Sequence, residues 1–183
     1  MKILRRTQFG NPILRQQARA LTKSEITSPK IQELIADMQY TLKTKKYGVG
    51  LAAPQVGRDI ALSIIGIKPT PTRPNETNLD MVMINPKILE SYGLITPMWE
   101  GCVSFGDSDN FPYAQVPRYP KIRLRWLDET GEEHIEDFEG LAAHVIQHEV
   151  DHLRGVLFVD RVVDTTTFIT VQEFNKRFKT PQQ

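Results

Sequence analysis

Hydrophobic and polar positions follow two rhythms along this chain. Between residues 29 and 46, Ile31, Leu34, Ile35, Met38 and Leu42 recur at three and four positions, which predicts a helix with one apolar face. Ser28 suits its N-cap and Pro29 its first position, and Lys43, Lys45 and Lys46 complement the dipole before Gly48 ends it. The stretch 48–57 reads as too glycine-rich for a regular element. Residues 60–67 predict a buried strand, and 68–80, with Pro69, Pro71 and Pro74, a surface loop. Two short strands are predicted at 81–84 and 87–91. In the stretch 121–127, Ile122, Leu124 and Trp126 alternate with Lys121, Arg123 and Arg125, a half-buried strand. Asp128-Glu129-Thr130-Gly131 is a hairpin turn, and the chain returns through 132–138. A second helix is predicted over 141–154, ended by Gly155, then a strand over 156–163. Thr170 and Glu173 have the spacing of a capping box that opens a short last helix. The sum is an α+β fold, with antiparallel strands packed around a buried central helix.

Composition narrows this picture without changing it. A chain of 183 residues, 40% hydrophobic and 25% charged, can bury a core as one globular domain. The net charge of +1 argues against direct nucleic-acid binding and against an anionic membrane partner. The longest apolar run, 60–67, is too short to cross a bilayer, and no apolar segment of signal-peptide type follows Met1. Lys2, Arg5, Arg6, Arg15, Arg19 and Lys23 precede the first acid, Glu25, a pattern shared with organelle transit peptides. Pro12-Ile13-Leu14 already reads as packed structure, so we take this start as a solvated basic face and the setting as bacterial cytoplasm rather than an organelle. The single cysteine, Cys102, excludes an intrachain disulfide and fits a reducing compartment.

The second helix carries His148-Glu149-Val150-Asp151-His152. Residues four apart on a helix lie about 6 Å apart along the axis on one face, so two imidazoles can converge on one cation while Glu149 reaches a water bound to it. Leu141, Val145, His148 and His152 form one stripe; Ala142, Ile146, Val150 and Leu153 form the opposite one. A helix apolar on both sides is buried, and burying two histidines and a glutamate is costly unless something pairs them. His144 precedes His148 by four, so spacing alone allows either pair, 144/148 or 148/152. Only the second has a glutamate after its first histidine, so His144 is assigned to the edge of the cleft. A lone cysteine is ordinarily a small core residue. Cys102, however, follows the flexible Gly101 and lies near Glu100, an acid able to hydrogen-bond a ligand from behind. A Cys–His–His set would leave a fourth tetrahedral position for water, the mark of a catalytic metal site.

Three segments, Gly48-Val49-Gly50-Leu51-Ala52-Ala53-Pro54-Gln55, Glu100-Gly101-Cys102-Val103-Ser104 and Gln147-His148-Glu149-Val150-Asp151-His152, resemble in sequence and order the motifs of the peptide deformylase family. The likeness runs from about Gly10 to Asp160. Val103 stands where the family has leucine, at a position used through its backbone, and the stretch 105–117 is longer than in compact members. The resemblance implies a metal-dependent hydrolase, one domain over 1–183 with a short tail from about 162, that removes the N-formyl group from the initiator methionine of nascent chains. It implies Cys102, His148 and His152 as metal ligands, Glu149 as general base, and Gln55 with the Val103 N–H as donors to the oxyanion. It further implies that Val49 and Gly50 pair with substrate backbone and that Leu141, His144 and Val145 lie at the methionine pocket. The native ion is implied to be Fe2+, with Zn2+, Ni2+ or Co2+ as replacements, since one thiolate and two imidazoles suit all four. Members with a long C-terminal helix dock on the ribosome; the tail here is short, and any ribosome association is expected to be transient.

Two other readings compete. A zinc peptidase shares H-E-x-x-H but takes a third histidine or glutamate downstream, and no histidine follows His152. A structural metal domain has no use for a general base beside an open metal position, and Glu149 is present.

Overall fold

The computed structural model describes residues 1–44, 48–71, 73–106 and 111–178. Its helices are α1 (Lys23–Ile26), α2 (Pro29–Thr44), α3 (Gly140–Leu153) and α4 (Val171–Phe178). Its strands are β1 (Gly50–Ala52), β2 (Leu62–Ile67), β3 (Leu79–Tyr92), β4 (Thr96–Gly101), β5 (Pro112–Arg118), β6 (Lys121–Leu127), β7 (Glu133–Glu139) and β8 (Ile169–Thr170). Two antiparallel sheets result, one ordered β1-β2-β3-β6-β7 and one β4-β5-β8.

Strand alternation in the larger sheet distributes its side chains between two helices. Leu62, Ile64, Val82 and Ile84 pack with Ile31, Ile35, Met38 and Leu42 of α2, the face that the period of three and four marked. Ile65, Ile67, Met83, Ile122 and Leu124 face the other way and pack with Val145, Ile146 and Val150 of α3. Every residue of α3 from Ala143 to Leu153 is buried, as a helix apolar on two sides requires. The smaller sheet closes over α3 from its far side, with Cys102, Ala114, Val116 and Phe158 forming a separate apolar cluster. The expected α+β arrangement around a buried helix is therefore present. No helix among the described residues is long and apolar enough to cross a membrane.

Four local expectations need correction. The stretch 48–57 is regular after all: β1 and the 3-10 turn Ala53–Val56 lie within it, because β1 needs only three residues to pair with Ile65, Ile64 and Ser63. The strands expected at 81–84 and 87–91 are one strand, β3, whose pairing with β6 is interrupted by a bulge. Asn85 sits there at φ 49, held by its side-chain amide on Leu21 N and O. β3 also begins within the loop expected over 68–80. The strand expected over 156–163 is a 3-10 turn, Phe158–Arg161, because the Asp160 carboxylate takes up the Leu157 N–H and curls the chain while Leu157 and Phe158 bury themselves. The C-terminal end of α3 behaves as read. Gly155 has φ +72, and a Cβ there would strike the Arg15 backbone at 2.6 Å.

The β6–β7 turn gives a first test. Asp128 accepts hydrogen bonds from Thr130 N (2.8 Å), Thr130 Oγ1 (2.7 Å), Glu132 N (3.1 Å) and the His134 ring (2.7 Å). Slight burial opposes its charge, but these bonds prevail and hold its pKa well below the ordinary carboxylate value. A depressed pKa contributes stability that is full above the unfolded value, about 3.9, and is lost as pH falls through the folded value. Asp128→Ala is expected to lower stability at neutral pH by about 1–3 kcal/mol. Chemical denaturation at pH 7 and pH 3 should show the difference from the unsubstituted protein narrowing at the lower pH; an equal difference at both would refute the charge argument.

Candidate metal centre

Three elements bring the chemistry together. His148 and His152 lie one turn apart on α3, with ring centroids 4.8 Å apart and planes at 81°. Cys102 follows the end of β4, its backbone extended (φ −130, ψ 129) before the 3-10 turn Val103–Phe105. Its Sγ lies 3.3 Å from His152 Nε2, and one sulfur and one nitrogen from each ring fall within 4.8 Å of one another. Cys102 and His152 are fully enclosed, and the His148 side chain is 11% exposed.

His148 is oriented from behind. Its Nδ1 is 2.5 Å from Glu100 Oε1, and since a carboxylate only accepts, Nδ1 carries a proton and Nε2 is the ring nitrogen left to the cluster, where a bound cation would take the place of any second proton. Burial lowers the pKa of His148, but the neighbouring Glu100 carboxylate outweighs it and holds the ring well above its ordinary value. His152 is held well below its ordinary value by burial and by the charge of His148. Burial alone would raise Glu100; the charge on His148, the bond from His144 and the Arg118 guanidinium hold it well below the usual carboxylate range.

Glu149 is 2% exposed, and its Oε2 is buried without a hydrogen-bond partner among the described residues, as is His152 Nδ1. Burial pushes the Glu149 carboxyl up to about 7, against the pull of His148. Gly50 packs directly on it: a Cβ at that position would collide with the carboxylate. The glycine thus brings strand β1 against Glu149. β1 is an edge strand of its sheet, and Val49 adjoins it with its carbonyl on Gly66 N at 2.9 Å.

Gln55 is fixed by its own loop. Its Oε1 accepts the Ala52 N–H at 2.8 Å, which turns Nε2 toward Cys102 Sγ (3.5 Å) and Ser104 Oγ (3.3 Å). Val103 opens the next 3-10 turn, so its N–H has no acceptor inside that turn. Leu141 and Val145 pack in the same apolar cluster as Val49, on one side of α3.

His144 lies on the same helix, one turn before His148. It is 5% exposed, with Nε2 2.9 Å from Glu100 Oε2 and Nδ1 3.0 Å from Met98 Sδ. Its Nε2 faces a carboxylate and so carries the proton, and its Nδ1 lies against the thioether sulfur, which places the ring on Glu100 beside His148.

One residue of this region was invisible in the sequence. Arg118, 4% exposed at the end of β5, donates Nε and Nη2 to Glu100 (3.1 and 2.9 Å) and Nη1 to Asp151 (2.5 Å). Arg161 completes Asp151 from the other side. Gln147 clasps Tyr119 at both its N–H (3.1 Å) and its carbonyl (2.8 Å). These bonds tie the smaller sheet, which carries Cys102, to the helix that carries the histidines.

A thiol and two imidazoles gathered beside a carboxylate with a buried, unbonded oxygen, on a helix enclosed by two sheets, are the makings of a metal-dependent hydrolase. Relatives tell which one. The polypeptide deformylase family matches residues 3–168. A peptide deformylase of Leptospira biflexa is 39% identical in an alignment of 175 positions that covers 92% of this chain and 92% of that one. Among solved structures, a class I type b peptide deformylase from Acinetobacter baumannii, with Met-Ala-Ser bound, superposes with a TM-score of 0.79 at 34% identity, over 87% of this chain and 98% of that one. The Thermotoga maritima peptide deformylase gives 0.75 at 34% identity, over 88% and 99%. The chain belongs to the polypeptide deformylase family, metal-dependent hydrolases that remove the formyl group from the N-terminal methionine of newly made proteins.

Proposed function

We propose that Cys102, His148 and His152 hold the divalent ion of this deformylase and that Glu149 moves the proton of the reaction. The observation that carries the assignment is the buried, unpartnered Glu149 Oε2 beside a Cys–His–His cluster whose atoms lie within 4.8 Å of one another. When bound, the ion supplies Lewis acidity, lowering the pKa of a water and polarising the formyl oxygen. Glu149 takes one proton from the attacking water as its oxygen bonds to the formyl carbon. The C–N bond then breaks, Glu149 returns the proton to the departing amine, and formate leaves. A carboxyl held at about 7 can do both near neutrality. The negative oxygen of the tetrahedral intermediate is met by Gln55 Nε2, already aimed by its bond to Ala52, and by the Val103 N–H.

The free edge of β1 lets Val49 and Gly50 receive the peptide as an added strand. Leu141 and Val145, packed with Val49, line the methionine side. The relative from Acinetobacter baumannii was solved with Met-Ala-Ser, which is what formyl-Met-Ala-Ser becomes on losing its formyl group. We take Fe2+ as the native ion, as the family resemblance implies; the donor set itself suits Fe2+, Zn2+, Ni2+ and Co2+ alike. We take residues 1–183 as one domain, since Arg118 and Gln147 join both sheets through α3, and place its work in the bacterial cytoplasm. Contact with the ribosome is proposed as transient: among the described residues α4 spans eight positions and turns Phe174 onto Trp99 and Tyr113 of the smaller sheet.

The test is metal content per chain, after anaerobic purification, alongside formate release from formyl-Met-Ala-Ser. Cys102→Ala and His152→Ala are each expected to lose metal and activity together. A Cys102→Ala protein with a full complement of metal would move the third ligand elsewhere and revive the peptidase reading.

A further inference from the structure

The third histidine of the helix has no place in the chemistry above, yet it is buried against a carboxylate and a thioether. Its surroundings are specific. Glu100 and Met98 are two apart on β4 and present the same face of the strand. His144 and His148 are four apart on α3 and present the same face of the helix. The two spacings match, so the strand docks on the helix with His144 between Met98 Sδ and Glu100 Oε2, and His148 on Glu100 Oε1. Arg118 supplies the remaining donors, Nε to Oε2 and Nη2 to Oε1. Each carboxylate oxygen therefore has one imidazole and one guanidinium N–H, which fills the four lone-pair directions of the group.

We propose that His144 is a positioning residue for the metal centre: by donating Nε2–H to Glu100 Oε2 it fixes the carboxylate that in turn aims His148. The inference rests on the ligand assignment proposed above. Arg118 holds both oxygens from one direction and His148 draws on Oε1; His144 is the only imidazole contact seen on Oε2 among the described residues. Without it, Oε2 keeps only the Arg118 Nε–H, and the carboxylate is free to turn toward that fork and away from His148. Outer partners of this kind alter metal affinity or activity by about 10–100-fold. Because His144 faces Glu100 and Met98, its loss should act on the metal rather than on peptide binding.

The experiment compares His144→Leu, which keeps bulk without a donor, with His144→Ala and with His144→Gln, whose side-chain amide can donate. Each is loaded with Co2+; the visible absorption of the ion and its rate of loss to a chelator are recorded, with kcat and KM for formyl-Met-Ala-Ser. His144→Leu and His144→Ala are expected to release the ion about 10-fold faster or more and to shift the cobalt spectrum, with KM nearly unchanged. His144→Gln should recover much of the slow release. Release at the unsubstituted rate with a raised KM would overturn the proposal and return His144 to the cleft. A failure of His144→Gln to recover either property, while His144→Leu is merely less stable to heat, would reduce it to packing. If Cys102→Ala holds cobalt as tightly as the unsubstituted protein, the ligand assignment itself fails, which is a separate outcome.

Discussion

Glu149→Gln is expected to retain the metal and lose turnover by about 10²–10⁴-fold. The substitution preserves shape at a position with no room for change, since Gly50 lies against the carboxylate and the residue is 2% exposed. It removes only the ability to take a proton. Glu149 is not in the Cys–His–His cluster, so metal content should stay at the unsubstituted level and KM should move little. The pH profile supplies a second readout. A base works when deprotonated, so activity falls as pH drops through its pKa. Burial sets that value at about 7 in the protein alone, and a neighbouring cation pulls it lower by favouring the charged form. The acidic limb of kcat should accordingly lie below neutrality and vanish from the residual activity of Glu149→Gln. Near-normal turnover in a metal-replete variant would remove Glu149 from the chemistry.

The parts of this site carried by one element were legible in the sequence, and those carried by contacts between elements were not. His148, Glu149 and His152 are set by helical spacing alone, and the double apolar stripe of α3 announces its burial. Gln147 and Asp151 lie on the same helix, but their partners, Tyr119 and Arg118, are 28 and 33 residues away and leave no local trace. The smaller sheet escaped for a related reason. β5 does alternate, with Ala114, Val116 and Arg118 buried, but its inward face ends in an arginine and its run is broken by Pro112 and Pro117. β4 likewise buries Glu100, where a strand pattern calls for an apolar residue. His144 shows the limit from the other side. Its spacing on the helix is plain in the sequence, but its partner Glu100 is 44 positions away on another element and leaves no local trace.

Arg118→Met is expected to destabilise the fold by about 3–5 kcal/mol and to loosen the metal with it. The guanidinium is enclosed, at 4% exposure, between Glu100 and Asp151, which are themselves 4% exposed. Methionine fills much of the space but leaves two buried carboxylates short of a cation. Asp151 keeps Arg161, which bonds both of its oxygens. Glu100 keeps only the two imidazoles, so the larger share of the penalty falls on the residue that aims His148. The loss is also geometric. Arg118 belongs to β5, Glu100 to β4 and Asp151 to α3, so one side chain registers the sheet that carries Cys102 against the helix that carries both histidines. Lysine is not a substitute: a single ammonium has no planar fork with which to bond Glu100 through two nitrogens while a third reaches Asp151. Arg118→Lys should therefore recover part of the thermal stability of Arg118→Met while retaining metal poorly. Thermal unfolding and metal content per chain, measured on both variants, separate the charge from the geometry. Equal metal retention by Arg118→Lys and the unsubstituted protein would show that charge alone suffices and that the fork does not set the register.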